Sequence, residues 1–498
     1  MFVVMKGGMN MSNKYDVIVI GAGPSGVFLA YEMIKLNAGK KVLLVEQGRR
    51  VEDRSCPIEK VNKCMRCKPF CNITSGFSGA GAFSDGKLLS YHLSLYNEGE
   101  NDFYLGGNSG SYIKKYLTTE EIKDLLAYTD KVYLDFGADP KLEGIEDREE
   151  IVKLQQKAKK ENLDLIDIPI RHLGTEKAHE LYGRIEKFLL DNGIDIKFET
   201  TVDNLVIENN EVKGIKIKPS SKAFDEEFEA ETILADKVVL GVGRKGAAWL
   251  TKMCNKHQIN QKTGPVDIGI RYELPDEIMK DINKYMYEGK VVARPGPFKD
   301  KVRTFCQNPS GFVATEVYDN NLTLVNGHSY KEKKSTNTNL AILVSHNFVH
   351  PFNKPIDYGM NVAKNLNELG AGNIVVQRLG DIFRGRRTWE EDLKNNKVVP
   401  TLKTAVAGDI TYALGYRTMT DILEFIKAMD KFVEGFADPA NLLYGPEIKF
   451  YSNGLILDET FQTSIKNLYS IGDGGGLTTG LMMASCSGVQ LARIFCKK

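Results

Sequence analysis

The chain has no surplus of either charge: Lys plus Arg number 66 against 65 Asp plus Glu over 498 residues, a balance of +1. A protein devoted to nucleic acid needs a basic excess to neutralise phosphates, so near-neutrality speaks against that class. Long apolar runs are also missing. Val17-Ile18-Val19-Ile20 and Val238-Val239-Leu240 are strand-sized, far short of the roughly 20 residues of a membrane span. Met1 to Asn13 holds no apolar core of signal-peptide length, and the expected location is the cytoplasm. There is no internal repeat, low-complexity tract or long charge block, and with 42% hydrophobic residues the chain has the composition of an ordered globular protein. Cysteines number only eight, and a cytoplasmic chain of this length does not need disulfides for stability.

Three stretches carry a βα rhythm. Asp16-Val17-Ile18-Val19-Ile20 is a β-rich apolar run, followed by a glycine turn. Apolar residues then recur at helical spacing through Val27, Ala30, Tyr31 and Ile34, and Val42-Leu43-Leu44-Val45-Glu46 is the next strand. The rhythm resumes with a helix marked by Ala178, Leu181, Ile185 and Leu189, ended by Asn192-Gly193. A hairpin around Asn209-Asn210 and the strand leading into Val238-Val239-Leu240-Gly241-Val242-Gly243 follow. It returns at Asn467 to Asp473, with a glycine run and a closing helix. The expected class is α/β: one Rossmann-like parallel sheet with βαβ units, built from discontinuous segments, with inserted α+β substrate or cap domains. The expected division is 13–90 (with the cysteine-rich loop 56–71), a first insertion 91–170, a second part 171–258, a second insertion 259–440, and a last part 441–498.

Gly21-x-Gly23-Pro24-Ser25-Gly26 between strand and helix, with Glu46 twenty residues further on, is a dinucleotide-binding pattern in its full context. Gly21 permits the tight turn, Gly23 lets backbone approach a pyrophosphate, and Gly26 lets helix and strand pack closely. The helix start offers N–H donors to phosphate. Glu46, beside Gln47, can accept ribose hydroxyls and would repel a 2′-phosphate.

Leu468-Tyr469-Ser470-Ile471-Gly472-Asp473-Gly474 resembles the second flavin-contacting motif of flavoproteins with two dinucleotide-binding domains. That resemblance implies FAD, with Asp473 on the ribityl chain and Thr479-Gly480-Leu481 opening a helix at the flavin pyrimidine edge. Gly243 matches the family's middle strand motif, and Thr201-Val202 the strand covering the adenine. Gly76-Phe77-Ser78-Gly79-Ala80-Gly81-Ala82-Phe83-Ser84-Asp85-Gly86-Lys87-Leu88 further resembles the hallmark of predicted FAD-dependent dehydrogenases, a family whose reactions are largely unassigned. Arg303 to Val313 and Val325-Asn326-Gly327-His328 are similar to that family too. The resemblance covers nearly the whole chain and places Gly79, Ala80, Gly81, Asp85 and Lys87 near the isoalloxazine. A second Gly-x-Gly-x-x-Gly is absent, which disfavours the flavoprotein disulfide reductases and leaves NAD(P)H at most a transient reductant.

Cys56-x7-Cys64-x2-Cys67-x3-Cys71 places four thiols in one loop, with Lys60, Lys63, Arg66 and Lys68 among them. Such density suits an Fe–S cluster, a [4Fe–4S] being the leading candidate, with zinc or unmetallated thiols as alternatives. The candidate catalytic groups are Lys87 for reduced-flavin charge, Cys306 as nucleophile with Arg303 as its cation, and Arg271 as a clamp for a substrate carboxylate. Arg384-Gly385-Arg386-Arg387 is the densest cationic cluster, suited to an acidic substrate or an electron-donor protein. The expected activity is an FAD-dependent oxidoreductase acting on a small anionic organic substrate, the insertions covering the flavin and the cysteine loop serving a ferredoxin-like partner. The alternatives from other classes are a flavin-dependent RNA-modifying or RNA-binding protein and a scaffold with structural FAD.

Overall fold

The structure, a computed structural model, describes residues 14–56, 67–82, 87–89, 112–144, 146–166, 170–172, 175–286, 288–317, 322–329, 333–346, 348, 351–352, 354–451 and 453–497. It divides into two units: residues 1–141, 171–262 and 452–498 form the first, and residues 142–170 and 263–451 the second.

The first unit is built on a seven-stranded sheet. Its elements are β1 (Lys14–Ile20), α1 (Pro24–Lys35), β2 (Val42–Val45), α2 (Thr119–Asp135), α3 (Thr175–Asp191), β3 (Asp195–Lys197), β4 (Thr200–Glu208), β5 (Glu211–Pro219), β6 (Glu231–Leu240), β7 (Leu468–Ser470) and α4 (Leu481–Cys496). Strands β3, β2, β1, β6 and β7 run parallel, each beside the next. Strands β4 and β5 add an antiparallel hairpin to β6. Asn209 and Asn210, at φ 50° and 59°, make the left-handed two-residue turn that such a hairpin favours. Val17 to Ile20 and Val42 to Val45 are buried throughout, as strands covered on both faces must be. Three separated stretches of chain thus make one parallel sheet, as the βα rhythm implied.

Helices α1 and α4 pack closely because small residues face each other. A Cβ added at Gly488 would lie 2.1 Å from the Ser25 carbonyl oxygen. Tyr133 of α2 bonds Tyr182 of α3 at 3.0 Å and Ser485 of α4 at 2.9 Å, tying three helices through buried hydroxyls.

The second unit holds an eight-stranded sheet, antiparallel apart from one edge pair. Val266–Pro275 is central, between Asn337–His346 and Leu442–Phe450. Leu442–Phe450 therefore lies in this sheet, and the change of unit falls after residue 451 rather than at 441. Asp164–Ile166 supplies an edge strand beside Lys290–Ala293. The amphipathic helix Tyr416–Phe432 buries Ile422, Phe425, Ile426, Met429 and Phe432.

The central strand is buried almost end to end yet carries Asp267, Arg271 and Glu273. Unpaired, each charge would cost several kcal/mol, on the order of the desolvation penalty of a buried ion. Each has partners: Arg303 and Tyr451 for Asp267, Glu447 for Arg271, and Thr401, Tyr444 and Asn337 for Glu273. Among the described residues no helix is long and apolar enough to cross a membrane.

Candidate functional site

The parallel strands of the first unit end in glycine turns, and their hydrogen bonds draw those turns together. Gly241 N–H donates to Ile20 O at 3.0 Å, Ile471 N–H to Leu240 O at 3.1 Å, and Gly474 N–H to Val242 O at 3.0 Å. The turn 21–26, the segment 241–243 and the segment 471–474 therefore adjoin at the carboxyl edge of the sheet, where open α/β sheets take their ligands. Gly21, at φ +104°, sits where an added Cβ would lie 2.7 Å from Gly241 O, so only glycine fits. At Gly23, Gly243 and Gly480, by contrast, a Cβ would meet nothing within 4 Å among the described residues. Backbone stands open at all three. Among the described residues no side chain caps α1 at Gly23, which leaves its positive end for an anion or electron-rich group, and at α4 the Asp473 carboxylate takes the Gly480 N–H.

The loop Gly76 to Ala82 closes onto this edge. Ser78 N–H donates to Ala22 O at 2.7 Å, and a Cβ on Gly79 would lie 3.8 Å from the Gly23 Cα. Gly79, Ala80, Gly81 and Ala82 form one 3-10 turn. A Cβ on Gly81 would come within 3.1 Å of Leu481 and 3.0 Å of the Tyr182 hydroxyl, which places this turn at the start of α4. The early glycine turn, the mid-chain loop and the closing helix thus meet. An extended dinucleotide fits this arrangement: open glycine backbone, an uncapped α1 start and a carboxylate at the end of β2.

That carboxylate is more heavily engaged than its sequence position implies. Glu46 accepts from Ala22 N–H at 3.0 Å and from Gly48 and Gly76 N–H at 2.9 Å each. A carboxylate has about four acceptor sites, so one remains for a ribose hydroxyl. Glu46 first stitches the glycine turn to the 76–82 loop. Gln47 donates from its side-chain amide to Ser75 Oγ at 3.1 Å, and its backbone carbonyl accepts from the Ser220 hydroxyl at 2.6 Å. Val202 is buried on β4 opposite Ile217. Asp473 accepts from Thr478 Oγ1 at 2.9 Å and Gly480 N–H at 3.0 Å, beside Thr479. Burial raises the Asp473 carboxyl, with Arg244 and these two bonds pulling the other way. Pattern reading did not single out Arg244 or Arg54, because neither belongs to a spaced motif, and it named Ser78 only as part of the 76–88 resemblance.

Asp85, Cys64 and the Lys87 side chain lie outside the described residues. Of the remaining cysteines, Cys56 and Cys67 are half-buried and Cys71 is exposed. Among the described residues no three His, Cys, Asp or Glu side chains form a metal-sized cluster.

In the second unit Arg271 is fully buried. Its guanidinium pairs with both Glu447 oxygens, at 2.8 and 2.7 Å, and bonds the Cys306 carbonyl at 2.7 Å and Asn326 at 3.1 Å. Arg303 bonds Asp267 and the Tyr451 hydroxyl, both at 2.7 Å. Both arginines are thus committed to neutralising buried carboxylates, not aimed at a substrate. Cys306 sits at φ +46° in a bulge of its strand, its N–H held by Glu288 at 3.0 Å. The Arg384 to Arg387 loop is also internally organised. Asp381 bonds Arg378, Arg384, Arg386 and Thr388, and Arg387 stacks on Trp389 at 4.0 Å. His328 is exposed at a strand end.

Residues 266–449 match a protein family described as FAD-dependent protein, C-terminal domain-like. A protein of Clostridium beijerinckii described as uncharacterized is 22% identical over 508 residues, covering 97% of this chain and 81% of its own length. Among solved structures, the likenesses include a 3-ketosteroid-delta4-(5alpha)-dehydrogenase from Rhodococcus jostii with TM-score 0.40, 13% identity and 98% of each chain covered. Quinol fumarate reductase from E. coli matches with TM-score 0.40 and 11% identity, covering 97% of this chain and 70% of that one. Glycine oxidase from Bacillus cereus matches with TM-score 0.34 and 14% identity over 97% of both chains.

Proposed function

We propose that the protein is an FAD-dependent oxidoreductase acting on a small, anionic organic substrate. The reading rests on the meeting of the 21–26, 241–243 and 472–480 turns at the carboxyl edge of one parallel sheet, with open backbone at Gly23, Gly243 and Gly480. The description of the family matched over residues 266–449 supports the same cofactor. Bound FAD would supply two-electron hydride exchange.

The chain's own groups divide the remaining work. The α1 start and Gly23 hold the diphosphate. Glu46 takes one ribose hydroxyl with its remaining acceptor site. Asp473 accepts ribityl hydroxyls while holding the Gly480 N–H that begins α4. The positive end of α4 favours negative charge on the flavin pyrimidine edge. Lys87 adds a cation there, and Cys306 is the proposed nucleophile in the second unit. Arg271 and Arg303 belong to the framework behind it.

In the same reading Cys56, Cys64, Cys67 and Cys71 hold a [4Fe–4S] cluster that exchanges single electrons with a ferredoxin-like protein. Asn72 donates to the Ser55 carbonyl at 3.2 Å, and this bond supports the reading by joining the neighbours of Cys71 and Cys56. The deciding experiment is anaerobic purification with flavin, iron and sulfide analysis, followed by dithionite titration watched by visible absorbance and EPR. FAD near one per chain with an iron signal is expected. Protein that takes up no FAD on reconstitution ends the oxidoreductase reading. Protein with FAD but no iron, reduced equally well after all four Cys→Ser changes, ends only the cluster.

A further inference from the structure

The carboxyl edge of the first sheet gathers negative charge. Glu46 ends β2, Asp473 follows β7, and an FAD diphosphate would add to both. The start of α1 answers with roughly half an elementary charge, less than the charge it would face. A full cation on this edge would close the gap. Arg54 does not supply it. That residue is 3% exposed, and its guanidinium donates to the carbonyls of Asn72 at 2.8 Å, Ile73 at 2.8 Å, Phe77 at 2.5 Å and Gly79 at 2.7 Å.

Arg244 is placed differently. It opens the short turn Arg244–Gly246 after β6, directly beyond the open backbone of Gly243. The turn is fixed against the sheet. Gly246 N–H donates to Gly243 O at 2.9 Å, and a Cβ on Gly246 would lie 2.7 Å from the Val242 Cβ. Val242 O takes the Gly474 N–H at 3.0 Å, and a Cβ on Gly474 would lie 2.2 Å from that oxygen. Arg244, two residues past Val242, therefore starts beside the chain at Asp473. Its guanidinium acts on that carboxylate: burial raises the Asp473 carboxyl, and Arg244 is the foremost influence in the opposite sense. Yet the two form no ion pair. Asp473 accepts from Thr478 Oγ1 at 2.9 Å and Gly480 N–H at 3.0 Å instead. Arg244 is exposed and makes no hydrogen bond or ion pair among the described residues. Five donors in a planar fork thus stand at the ligand edge, beside a carboxylate that is already occupied. A guanidinium in that position is suited to a phosphate, which it can meet with two parallel bonds.

We propose that Arg244 contacts the flavin-side phosphate of the cofactor diphosphate. The inference rests on the FAD reading and deepens it. Asp473 is the ribityl contact in that reading, and the flavin-side phosphate is the group that the ribityl chain carries, so the guanidinium near Asp473 lies next to it.

The test uses the full-length parent, R244Q, K245Q, D473N and the double variant R244Q/D473N. Affinity for FAD is measured by calorimetry, and ADP and AMP are measured as competitors. ADP carries the counterpart of the flavin-side phosphate and AMP lacks it. R244Q is expected to weaken FAD and ADP about tenfold and to leave AMP unchanged. K245Q removes the same charge from the adjacent residue, also exposed, and is expected to stay within about twofold of the parent. The loss caused by R244Q is expected to persist in the D473N background, because the contact is made with phosphate and not through the Asp473 charge. R244Q binding FAD within about twofold of the parent overturns the proposal. So does an equal loss on AMP and ADP, an equal loss in K245Q, or an R244Q effect that vanishes once Asp473 is neutral. Parent protein that takes up no FAD removes this inference together with the reading beneath it, whereas a parent that binds FAD leaves that reading standing even if R244Q behaves like it.

Discussion

Glu46 shows how one side chain can serve a fold before it serves a ligand. Its three N–H partners come from the glycine turn, its own loop and the start of the 76–82 segment. Each such bond to a charged acceptor contributes roughly 1.5–3 kcal/mol. Glu46→Gln keeps the shape but replaces one acceptor oxygen with a donor facing an N–H. Urea unfolding of the apoprotein should show a loss of roughly 1.5–3 kcal/mol. An unchanged midpoint would mean that the three bonds contribute nothing net. Asp421 makes the opposite case. It is buried, no donor reaches either oxygen among the described residues, and Asp300 faces it. Two carboxylates can hydrogen-bond only by sharing a proton. Burial and that shared bond push Asp421 up to about 7, against the pull of Arg417.

Glycines do different work along the elements of the first unit. Gly21 is sterically required and conformationally strained for any other residue, so Gly21→Ala should lower stability by roughly 1–3 kcal/mol. Gly23 at the α1 N-cap has φ −73° and an empty Cβ position. Gly23→Ala should therefore leave apo stability within about 1 kcal/mol of the parent. It should weaken FAD binding about tenfold, because the methyl occupies the space of close approach. Thermal melts set beside FAD titrations would separate the two variants. If both behaved alike, the division between a packing glycine and a ligand-facing glycine would be wrong.

Across the whole molecule the acidic groups give stability a pH profile. The folded pKa of Asp421 lies above its ordinary value, so between about pH 4 and 7 the folded form holds more protons than the unfolded one. This group therefore takes stability away as pH rises through that window. Asp381 acts in reverse. Burial alone would raise it, but bonds from Arg378, Thr388 and Arg386 outweigh burial and hold it at about 2. Its contribution is present above pH 4 and fades as pH falls toward 2. Asp421→Asn should gain stability relative to the parent at pH 8 and lose that advantage near pH 4.5, measured by denaturant midpoints at both values. A difference independent of pH would show that Asp421 is ionised in the fold.

Local pattern was enough for the β1–α1–β2 unit, the Asn209-Asn210 hairpin and the return of the sheet at Leu468. Strand and helix periodicity, turn residues and the strand–glycine–helix context are all contained in short windows of chain. Pattern could not show how the polar groups pair. Arg271 reads as a clamp in sequence, yet Glu447, 176 residues away, accepts two of its bonds. Arg54 belongs to no motif, and its four partners become visible only when the loop after Cys71 is folded around it. Periodicity comes from backbone geometry and is therefore written locally. The neutralisation of a buried charge depends on which distant chain segment arrives beside it, and only the tertiary structure decides that.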